Sequence, residues 1–395
     1  MLKETIQQLA AELHADAVAN RRHLHAHPEL SFQEFDTSSF VAVKLRALNI
    51  PFERMTDTGI VALLKGTAGD SDRVIALRAD MDALPIEEAN EVPYRSTRPG
   101  VMHACGHDVH TASLLATLGI LHRMTDRFSG TVKFIFQPAE EKLPGGASRM
   151  IAAGVLENPR PHHILGQHVM PELEVGKVGF RSGRYMASTD ELYVTVTGKG
   201  GHAAMPHLTI DPVYIACQLV GALQQIVSRQ GNSLIPSVLS FGKFIALGAT
   251  NVIPDKVELE GTFRTMDETW RQEAHHRIKK LATSLVEGMG GRCDLEIRKG
   301  YPVLENEKEL TEAMRRHAEA FLGKDSVVTL DPWMAAEDFA YYTERVNACF
   351  YRLGVASGPE DNHGGLHTPT FDADERSLVI GPGLMAYMAL KDLGN

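Results

Sequence analysis

The segment from Met102 to His110 concentrates side chains that can bind a metal ion. It reads Met-His-Ala-Cys-Gly-His-Asp-Val-His and holds one thiol, three imidazoles and one carboxylate. Cysteine and histidine are ligands that suit zinc, manganese, cobalt and nickel. Cys105 and His107 can converge on an ion from one turn of backbone, and Gly106 between them relaxes the backbone where that turn is tightest. Because Cys-x-His is a short pattern with many chance matches, a structural cysteine near surface histidines stays open at this point.

Further metal-binding side chains follow predicted strands. Apolar segments that read as strands alternate with helical patterns up to residue 168, and a helix is predicted over 110–124. In an open α/β sheet, chemistry sits at the carboxyl ends of the strands, so side chains there are expected at one functional edge. The side chains at those ends are Asp80 and Asp82, Glu140 and Glu141, and His168. Together they are more specific for a hydrolytic two-metal site than any one of them alone.

The order of elements predicts two domains. The chain has 395 residues, more than a single hydrophobic core usually serves. Over 1–180 and 298–395 the pattern predicts an α/β catalytic domain, with a mostly parallel sheet and helices on both faces. Residues 181–297 show the order β-α-β-β-α-β, which is typical of a ferredoxin-like α+β unit. We expect this unit to be an inserted lid and dimerisation domain, with hinges near 179–183 and 300–302, where glycine and proline occur.

Composition and charge exclude several classes of protein. Hydrophobic residues make up 44% and charged residues 23%, as in ordinary globular chains. The net charge of -10 and the lack of a basic run argue against a nucleic-acid partner. No apolar segment approaches the ~18 residues that span a membrane, and the first residues do not resemble a secretory signal, so we expect no membrane partner. Four widely spaced cysteines fit a reducing compartment, and we predict the cytoplasm.

Several motifs, taken in order along the chain, resemble one known enzyme family. They are His103-Ala104-Cys105-Gly106-His107-Asp108, Pro138-Ala139-Glu140-Glu141, His168-Val169-Met170-Pro171, the segment Gly200 to His207, Asn251-Val252-Ile253-Pro254 and His367-Thr368-Pro369. The family is that of the dinuclear metal-dependent amidohydrolases, which includes aminoacylases, hippurate hydrolases and the plant hydrolases of indole-acetic acid–amino acid conjugates. The resemblance covers essentially the whole chain.

The resemblance implies a set of metal ligands and a general base. It implies two divalent ions per subunit, which in the relatives vary among zinc, manganese, cobalt and nickel. Glu140 is implied as the base that takes a proton from the metal-activated water and later returns it to the leaving amine. The implied ligands are Cys105, His107, Glu141, His168 and His367.

Other residues are expected to support the reaction. Asp82, and with it Asp80, is expected to orient a metal ligand from behind. The resemblance implies that His202 reaches the site from a neighbouring subunit of a homodimer and stabilises the oxyanion. Asn251 and Arg264 are candidates for holding the substrate's carbonyl or carboxylate, although Arg264 equally fits a structural ion pair.

These features predict a metal-dependent amidohydrolase that acts on a small N-acyl-L-amino acid. The products would be a carboxylic acid and a free amino acid, and hippurate-like and N-acetyl substrates fit equally. One alternative is a metallo-carboxypeptidase or dipeptidase on the same site. Others are a hydrolase with Cys105 as nucleophile and His107 as base, or a binding module without chemistry.

Overall fold

The computed structural model describes residues 2–358 and 364–394, so residues 1, 359–363 and 395 of the predicted catalytic domain lie outside it. The helices in the described residues are α1 (Leu2–Ala26), α2 (Phe35–Ala47), α3 (His107–His122), α4 (Gly146–Ala152), α5 (Pro212–Gln225), α6 (Glu268–Gly288), α7 (Lys308–Leu322), α8 (Ala340–Thr343) and α9 (Ser377–Asp392). None of them is both long enough and apolar enough to cross a membrane.

The strands of the described residues are shorter and more numerous than the helices. In chain order they are β1 (Phe52–Met55), β2 (Gly59–Lys65), β3 (Val74–Asp80), β4 (Thr131–Gln137), β5 (His163–Glu174), β6 (Val178–Phe180), β7 (Gly183–Met186), β8 (Ser188–Thr197), β9 (Gly201–His202), β10 (Ser237–Ile245), β11 (Val252–Ile253), β12 (Lys256–Thr265), β13 (Arg292–Lys299), β14 (Leu304–Asn306), β15 (Val327–Thr329) and β16 (Asn347–Ala356).

The chain divides into two compact units. Unit 1 comprises Met1–Gly183, Glu305–Asp331 and Asp338–Asn395, and unit 2 comprises Arg184–Leu304 and Pro332–Glu337. The short segment 332–337 belongs with unit 2 because the N–H of Ala187 donates to the carbonyls of Trp333 and Ala335. The predicted roles of 181–297 as a lid and as a dimerisation domain stay predictions.

The sheet of unit 1 confirms the predicted α/β fold. Its described strands follow the order β1-β2-β4-β3-β5-β16-β6-β15. The central pairs β4/β3, β3/β5 and β5/β16 are parallel, as strands joined by helices must be. The antiparallel pairs among these described strands are β1/β2, which a short turn joins, together with β2/β4 and β16/β6. The sheet is therefore mixed but mostly parallel.

Helix α3 is the buried centre of unit 1. It packs against β3 on one side and against α1 and α9 on the other. Leu114 and Leu118 are fully buried beside Leu77 and Met388. Every residue from His107 to Leu121 is buried, and apolar residues predominate after the first turn, as expected of an enclosed helix. It begins at His107 and not at His110 as the sequence predicted, so its first turn carries a predicted metal ligand.

Unit 2 has its own sheet and core. The strand order is β10-β12-β8-β13, with every neighbouring pair antiparallel. Residues of β8 alternate between buried and half-buried, and Leu192, Val194 and Val196 face the core. Helices α5 and α6 cover that face. Asp211 caps α5 by accepting from the N–H groups of Val213 and Tyr214, as the sequence predicted.

Candidate metal centre

The side chains predicted to bind metal come together in unit 1. Ligand atoms of Cys105, His107 and His168 all lie within 4.8 Å of one another. The same limit holds for Cys105, Glu141 and His367, and for His107 with Glu140 and Glu141. Because the three groups share members, the donors form one connected cluster. The structure therefore gathers all five predicted ligands and the predicted base in one place.

The start of α3 places Cys105 and His107 on the cluster. Gly106 precedes the helix with a φ of +79°, a left-handed conformation that glycine adopts most easily. A Cβ atom there would meet the Cγ2 atom of Val169 at 2.5 Å, so there is also no room for a larger residue. The glycine thus lets the cysteine and the first helical histidine pack closely against β5, where His168 lies.

The types of ligand atom in the cluster, and the distances between them, fit divalent transition metals. A thiol, imidazoles and a carboxylate form a mixed set that suits zinc, manganese, cobalt or nickel. The Nε2 atom of His107 is buried and forms no hydrogen bond, which is rare unless an ion or water completes it. The Sγ atom of Cys105 lies 3.5 Å from Nε2 of His168, and Nε2 of His367 lies 3.2 Å from Oε1 of Glu141. Donors this close together can share ions.

Asp82 supports the cluster in two ways. Its Oδ1 atom lies 3.1 Å from Nδ1 of His107, which leaves the Nε2 atom of that ring for a metal. Its two oxygens also accept the backbone N–H groups of Glu140 and Glu141, at 3.0 and 2.9 Å. Burial would raise the pKa of Asp82, but hydrogen bonds from His107 and Ser31 lower it. The predicted orienting role of Asp82 therefore matches its contacts.

Asp80 supports the cluster indirectly, through His110, which was not among the predicted site residues. It lies 2.5 Å from Nδ1 of His110, and Nε2 of His110 accepts the N–H of Val169 at 2.9 Å. The carbonyl of Val169 in turn accepts from Nδ1 of His168 at 2.7 Å. This chain of hydrogen bonds leaves Nε2 of His168 without a proton and turned to the cluster. The signal available in the sequence was the spacing of His110, one helical turn after His107.

In the metal-free protein the pKa values of three predicted ligands are shifted from their ordinary values. Burial and the charge of Glu141 raise the pKa of the Cys105 thiol. Hydrogen bonds to Cys105 and Glu141 raise the pKa of His367 to about 10. Burial and the nearby Arg352 hold the pKa of His168 well below its ordinary value. An ion that binds here must therefore displace protons from Cys105 and His367, so its affinity should rise with pH.

Glu140 lies beside the cluster, held by backbone groups. Its side chain is buried, and its Oε1 atom accepts the N–H of Asp338 at 3.4 Å. Asp338 is itself fixed by Arg78, whose guanidinium lies 2.7 Å from it. The adjacent carboxylates of Glu140 and Glu141 thus have different surroundings, as a base and a ligand require.

The predicted residues of unit 2 are more exposed than the buried donors of unit 1. His202 on β9 is exposed, and β9 pairs with β11, which begins next to Asn251. The Nδ1 atom of His202 accepts the N–H of Ala204 at 3.1 Å, so a neutral ring carries its proton on Nε2. Arg264 on β12 is half-buried and donates to the carbonyl of Met334. Among the described residues no carboxylate pairs with Arg264, which argues against the structural ion pair.

Comparison with known proteins gives one family and close relatives. Residues 76–391 match the model of peptidase family M20/M25/M40. The chain is 45% identical to an N-acyl-L-amino acid amidohydrolase of Geobacillus stearothermophilus over 77% of this chain and 82% of that protein. It is 37% identical to an N-acetylcysteine deacetylase of Bacillus subtilis over 95% and 97% of the two chains. The crystal structure of Bacillus subtilis YXEP, described as a dinuclear metal binding peptidase of the M20 family, is 35% identical and superposes with a TM-score of 0.83 over 97% of this chain and 99% of that one.

Proposed function

The chain belongs to peptidase family M20/M25/M40, and on that premise we propose that it hydrolyses N-acyl-L-amino acids to a carboxylic acid and a free amino acid. It is a metal-dependent amidohydrolase of linear amides. The relatives named as an N-acyl-L-amino acid amidohydrolase and an N-acetylcysteine deacetylase support this substrate class. The observation that carries the proposal is that the five predicted metal ligands and Glu140 lie in one connected cluster in unit 1.

The five donors are proposed to hold two divalent ions. Their mixed chemistry supports zinc, manganese, cobalt or nickel, and the similarity to a dinuclear metal binding peptidase supports two ions. Ions bound there would polarise the scissile carbonyl and make a water more acidic. The proposed ligands are Cys105, His107, Glu141, His168 and His367.

Glu140 is proposed to move the proton. A carboxylate beside the ions can take a proton from water and return it to the leaving nitrogen. The N–H of Asp338 donates to Oε1 of Glu140, and Asp82 accepts the backbone N–H of Glu140, so both the side chain and the turn that carries it are held in place. His202 is proposed as the donor to the oxyanion, which its Nε2 proton supports. Arg264 and Asn251 are proposed to hold the substrate's carboxylate or carbonyl.

The experiment that tests this assignment compares two neighbouring glutamates. Glu140→Gln should lower kcat by about 10²–10⁴-fold, because only the proton transfer is lost, and should keep the bound metal. Glu141→Gln should lose metal as well as activity, because a ligand is lost. Both variants would be measured for turnover and for metal content after gel filtration. Full turnover of Glu140→Gln with metal bound would overturn the proposed base.

The thiol alternative fits the site poorly. A nucleophilic cysteine needs a lowered pKa, whereas burial and Glu141 raise the pKa of Cys105. A thorough chelation experiment separates the two: activity that survives it would favour the thiol. The metallo-carboxypeptidase or dipeptidase alternative uses the same donors, and a screen of acyl-amino acids against dipeptides distinguishes it from the proposed substrate.

Unit 2 is proposed to act as a lid and to form a homodimer. Its strand β10 lies at the edge of the sheet, with Val238 and Phe244 exposed, and Leu247 exposed just beyond it. Exposed apolar edge strands favour pairing with a second chain. A fully active monomer at micromolar concentration in sedimentation would contradict the homodimer. All four cysteines are free thiols, which supports the cytoplasm as the proposed compartment.

A further inference from the structure

The turn that presents Glu140 and Glu141 is held by carboxylates from elsewhere in the chain. Asp82 accepts the N–H groups of Glu140 and Glu141. The preceding N–H, that of Ala139, donates to Oε1 of Glu34 at 2.8 Å. Three consecutive backbone donors are therefore bound by two buried acids. Asp82 also contacts the predicted ligand His107, whereas Glu34 contacts the turn at Ala139.

Ala139 needs that partner. Its φ is +49°, in the left-handed region that residues other than glycine rarely adopt. It is fully buried, so water cannot replace a lost acceptor for its N–H. Its carbonyl accepts the N–H of Gly146 at 2.8 Å, which closes the turn on the other side. Without Glu34 the turn would keep an unusual conformation and contain a buried donor with no partner.

Glu34 is oriented toward Ala139 and not toward the start of α2. It occupies the residue before α2, a position whose side chain usually caps the helix, yet its side chain makes no capping bond. Glu29 accepts the N–H groups of Asp36 and Thr37 at the start of that helix instead. The carboxylate of Glu34 is fully buried and is fixed by the N–H of Phe32 at 2.9 Å and by the hydroxyl of Thr58 at 2.8 Å.

We propose that Glu34 is a positioning residue for the reaction, which holds the turn carrying Glu140 by accepting the N–H of Ala139. The inference rests on the proposed function, since it takes Glu140 as the base. The contact joins the N-terminal loop to the candidate metal centre across 105 positions of sequence. Glu34 acts on the geometry of the base and on no substrate atom.

The role requires an acceptor oxygen at the right distance from the N–H of Ala139. Substitutions of Glu34 can distinguish the need for this oxygen from a need for negative charge. In Glu34→Gln the amide oxygen can accept the N–H groups of Phe32 and Ala139, while the hydroxyl of Thr58 turns to accept from the amide nitrogen. Burial and the charge of Asp82 raise the pKa of Glu34 to about 7, so a neutral side chain is a close substitute. Glu34→Asp keeps the charge but withdraws the acceptor, and Glu34→Leu removes it.

The experiment measures kcat and KM per metal-loaded chain for these three variants. We expect Glu34→Leu to lower kcat by about 10–100-fold with KM little changed, as is usual when a residue that orients a catalytic group is lost. Glu34→Gln should retain most of the activity and Glu34→Asp should retain less, the reverse of the order that charge alone gives. If Glu34→Leu does not fold, the comparison of kcat between Glu34→Gln and Glu34→Asp still tests the role of Glu34.

Glu29→Leu is the matched control. It removes a buried carboxylate from the same loop, which accepts two backbone N–H groups and pairs with Arg98 at 3.2 Å, and within the described part of the chain that carboxylate forms no hydrogen bond with residues 139–141. It should lower stability and leave kcat unchanged. Hydrogen exchange provides a second measurement: the amide of Ala139 should lose protection in Glu34→Asp and Glu34→Leu and keep it in Glu34→Gln.

Three results would overturn the inference: wild-type kcat in both Glu34→Leu and Glu34→Asp, an equal loss of kcat in Glu29→Leu, or an Ala139 amide that stays protected in every variant. The proposed function fails separately. If Glu140→Gln turns over normally, the base is wrong whatever the Glu34 series gives. If Glu140→Gln is inactive and Glu34→Leu is fully active, the role of Glu34 alone is wrong.

Discussion

The candidate residues of unit 1 and those of unit 2 differ in how the chain holds them. In unit 1 the donors His107 and His168 are buried, and each ring is fixed by a hydrogen bond that its Nδ1 atom donates, to Oδ1 of Asp82 and to the carbonyl of Val169 respectively. In unit 2, His202 and Asn251 are exposed near the ends of two short strands, and one local hydrogen bond orients the His202 ring.

This difference indicates that the residues of unit 1 bind the metal ions and that those of unit 2 act on the substrate. Ligands that bind ions tightly must be held in place before the ions arrive, which requires burial and supporting hydrogen bonds. A residue that acts only on the transition state can stay exposed until a substrate or a second chain orders it. Substitutions of the five donors in unit 1 should therefore change metal binding together with turnover, and substitutions at His202 should change turnover alone.

The largest expected effect is the loss of the buried thiol. Cys105→Ser should lose metal and lower kcat by at least about a thousandfold, since a direct ligand matters more than the orienting partners whose loss costs about 10–100-fold. Cys217→Ser is the matched control, because Cys217 is an exposed thiol on α5 of unit 2. It should retain both metal and activity. Metal analysis and steady-state kinetics measure the two effects together.

The next effect tests the exposed histidine of unit 2. His202→Ala should lower kcat by about 10²–10³-fold, the usual cost of removing one donor to an oxyanion, with metal content unchanged. His207→Ala removes another exposed histidine from the same motif and should be nearly neutral. A loss of metal in His202→Ala would contradict the expectation that His202 acts on turnover and not on metal binding.

A smaller effect is expected at the residue behind His168. His110→Ala should weaken metal binding by about 10–100-fold, because Val169 and with it the His168 ring lose their anchor. His122→Ala is the control on the same helix, about 22 Å further along its axis from His107. Calorimetric titration of the metal-free protein gives both affinities. Equal metal affinities for wild type and His110→Ala would show that the chain of hydrogen bonds from Asp80 through His110 to His168 does not support metal binding.

The last effect concerns stability and its dependence on pH. His25 on α1 is buried, which would lower its pKa, but Asp108 at 2.8 Å and Glu88 at 3.1 Å raise it to about 9. The raised value means that the charged ring stabilises the folded state fully below about pH 6.5, and that this stabilisation is lost as pH rises through about 9. The loss should be on the order of 3 kcal/mol.

The two tryptophans help to assign that loss to one unit. Trp270 and Trp333 both lie in unit 2, so their fluorescence reports on unit 2, whereas hydrogen exchange in α1 and α3 reports on unit 1. The change between pH 6 and pH 10 should be seen in α1 and α3 and should disappear in His25→Gln. An unchanged pH dependence in that variant would contradict the assignment.

The sequence predicted the donors better than it predicted their supports. Cys105 and His107 lie two residues apart in a short motif that suggested a metal site, and the family resemblance then implied Glu141 as a ligand beside Glu140 as the base. Glu34 was not identified, because its contact with Ala139 joins distant segments and no local pattern marks it.

Element boundaries were missed for a related reason. The apolar pattern that predicts α3 becomes regular only from His110, whereas the helix starts at His107, where metal-binding side chains replace apolar ones. The segment 332–337 was predicted to continue the catalytic domain, but its backbone pairs with Ala187, which local propensity cannot show. Long-range hydrogen bonds, and not local preference, decide both the supports of the site and these ends.

Anomalous X-ray diffraction from crystals of the manganese- or zinc-loaded protein tests the central claim most directly. The account predicts two anomalous peaks within bonding distance of the Sγ atom of Cys105, the imidazoles of His107, His168 and His367, and the carboxylate of Glu141. Crystals of active protein with no peak among these five side chains, or with the metal bound elsewhere, would contradict it.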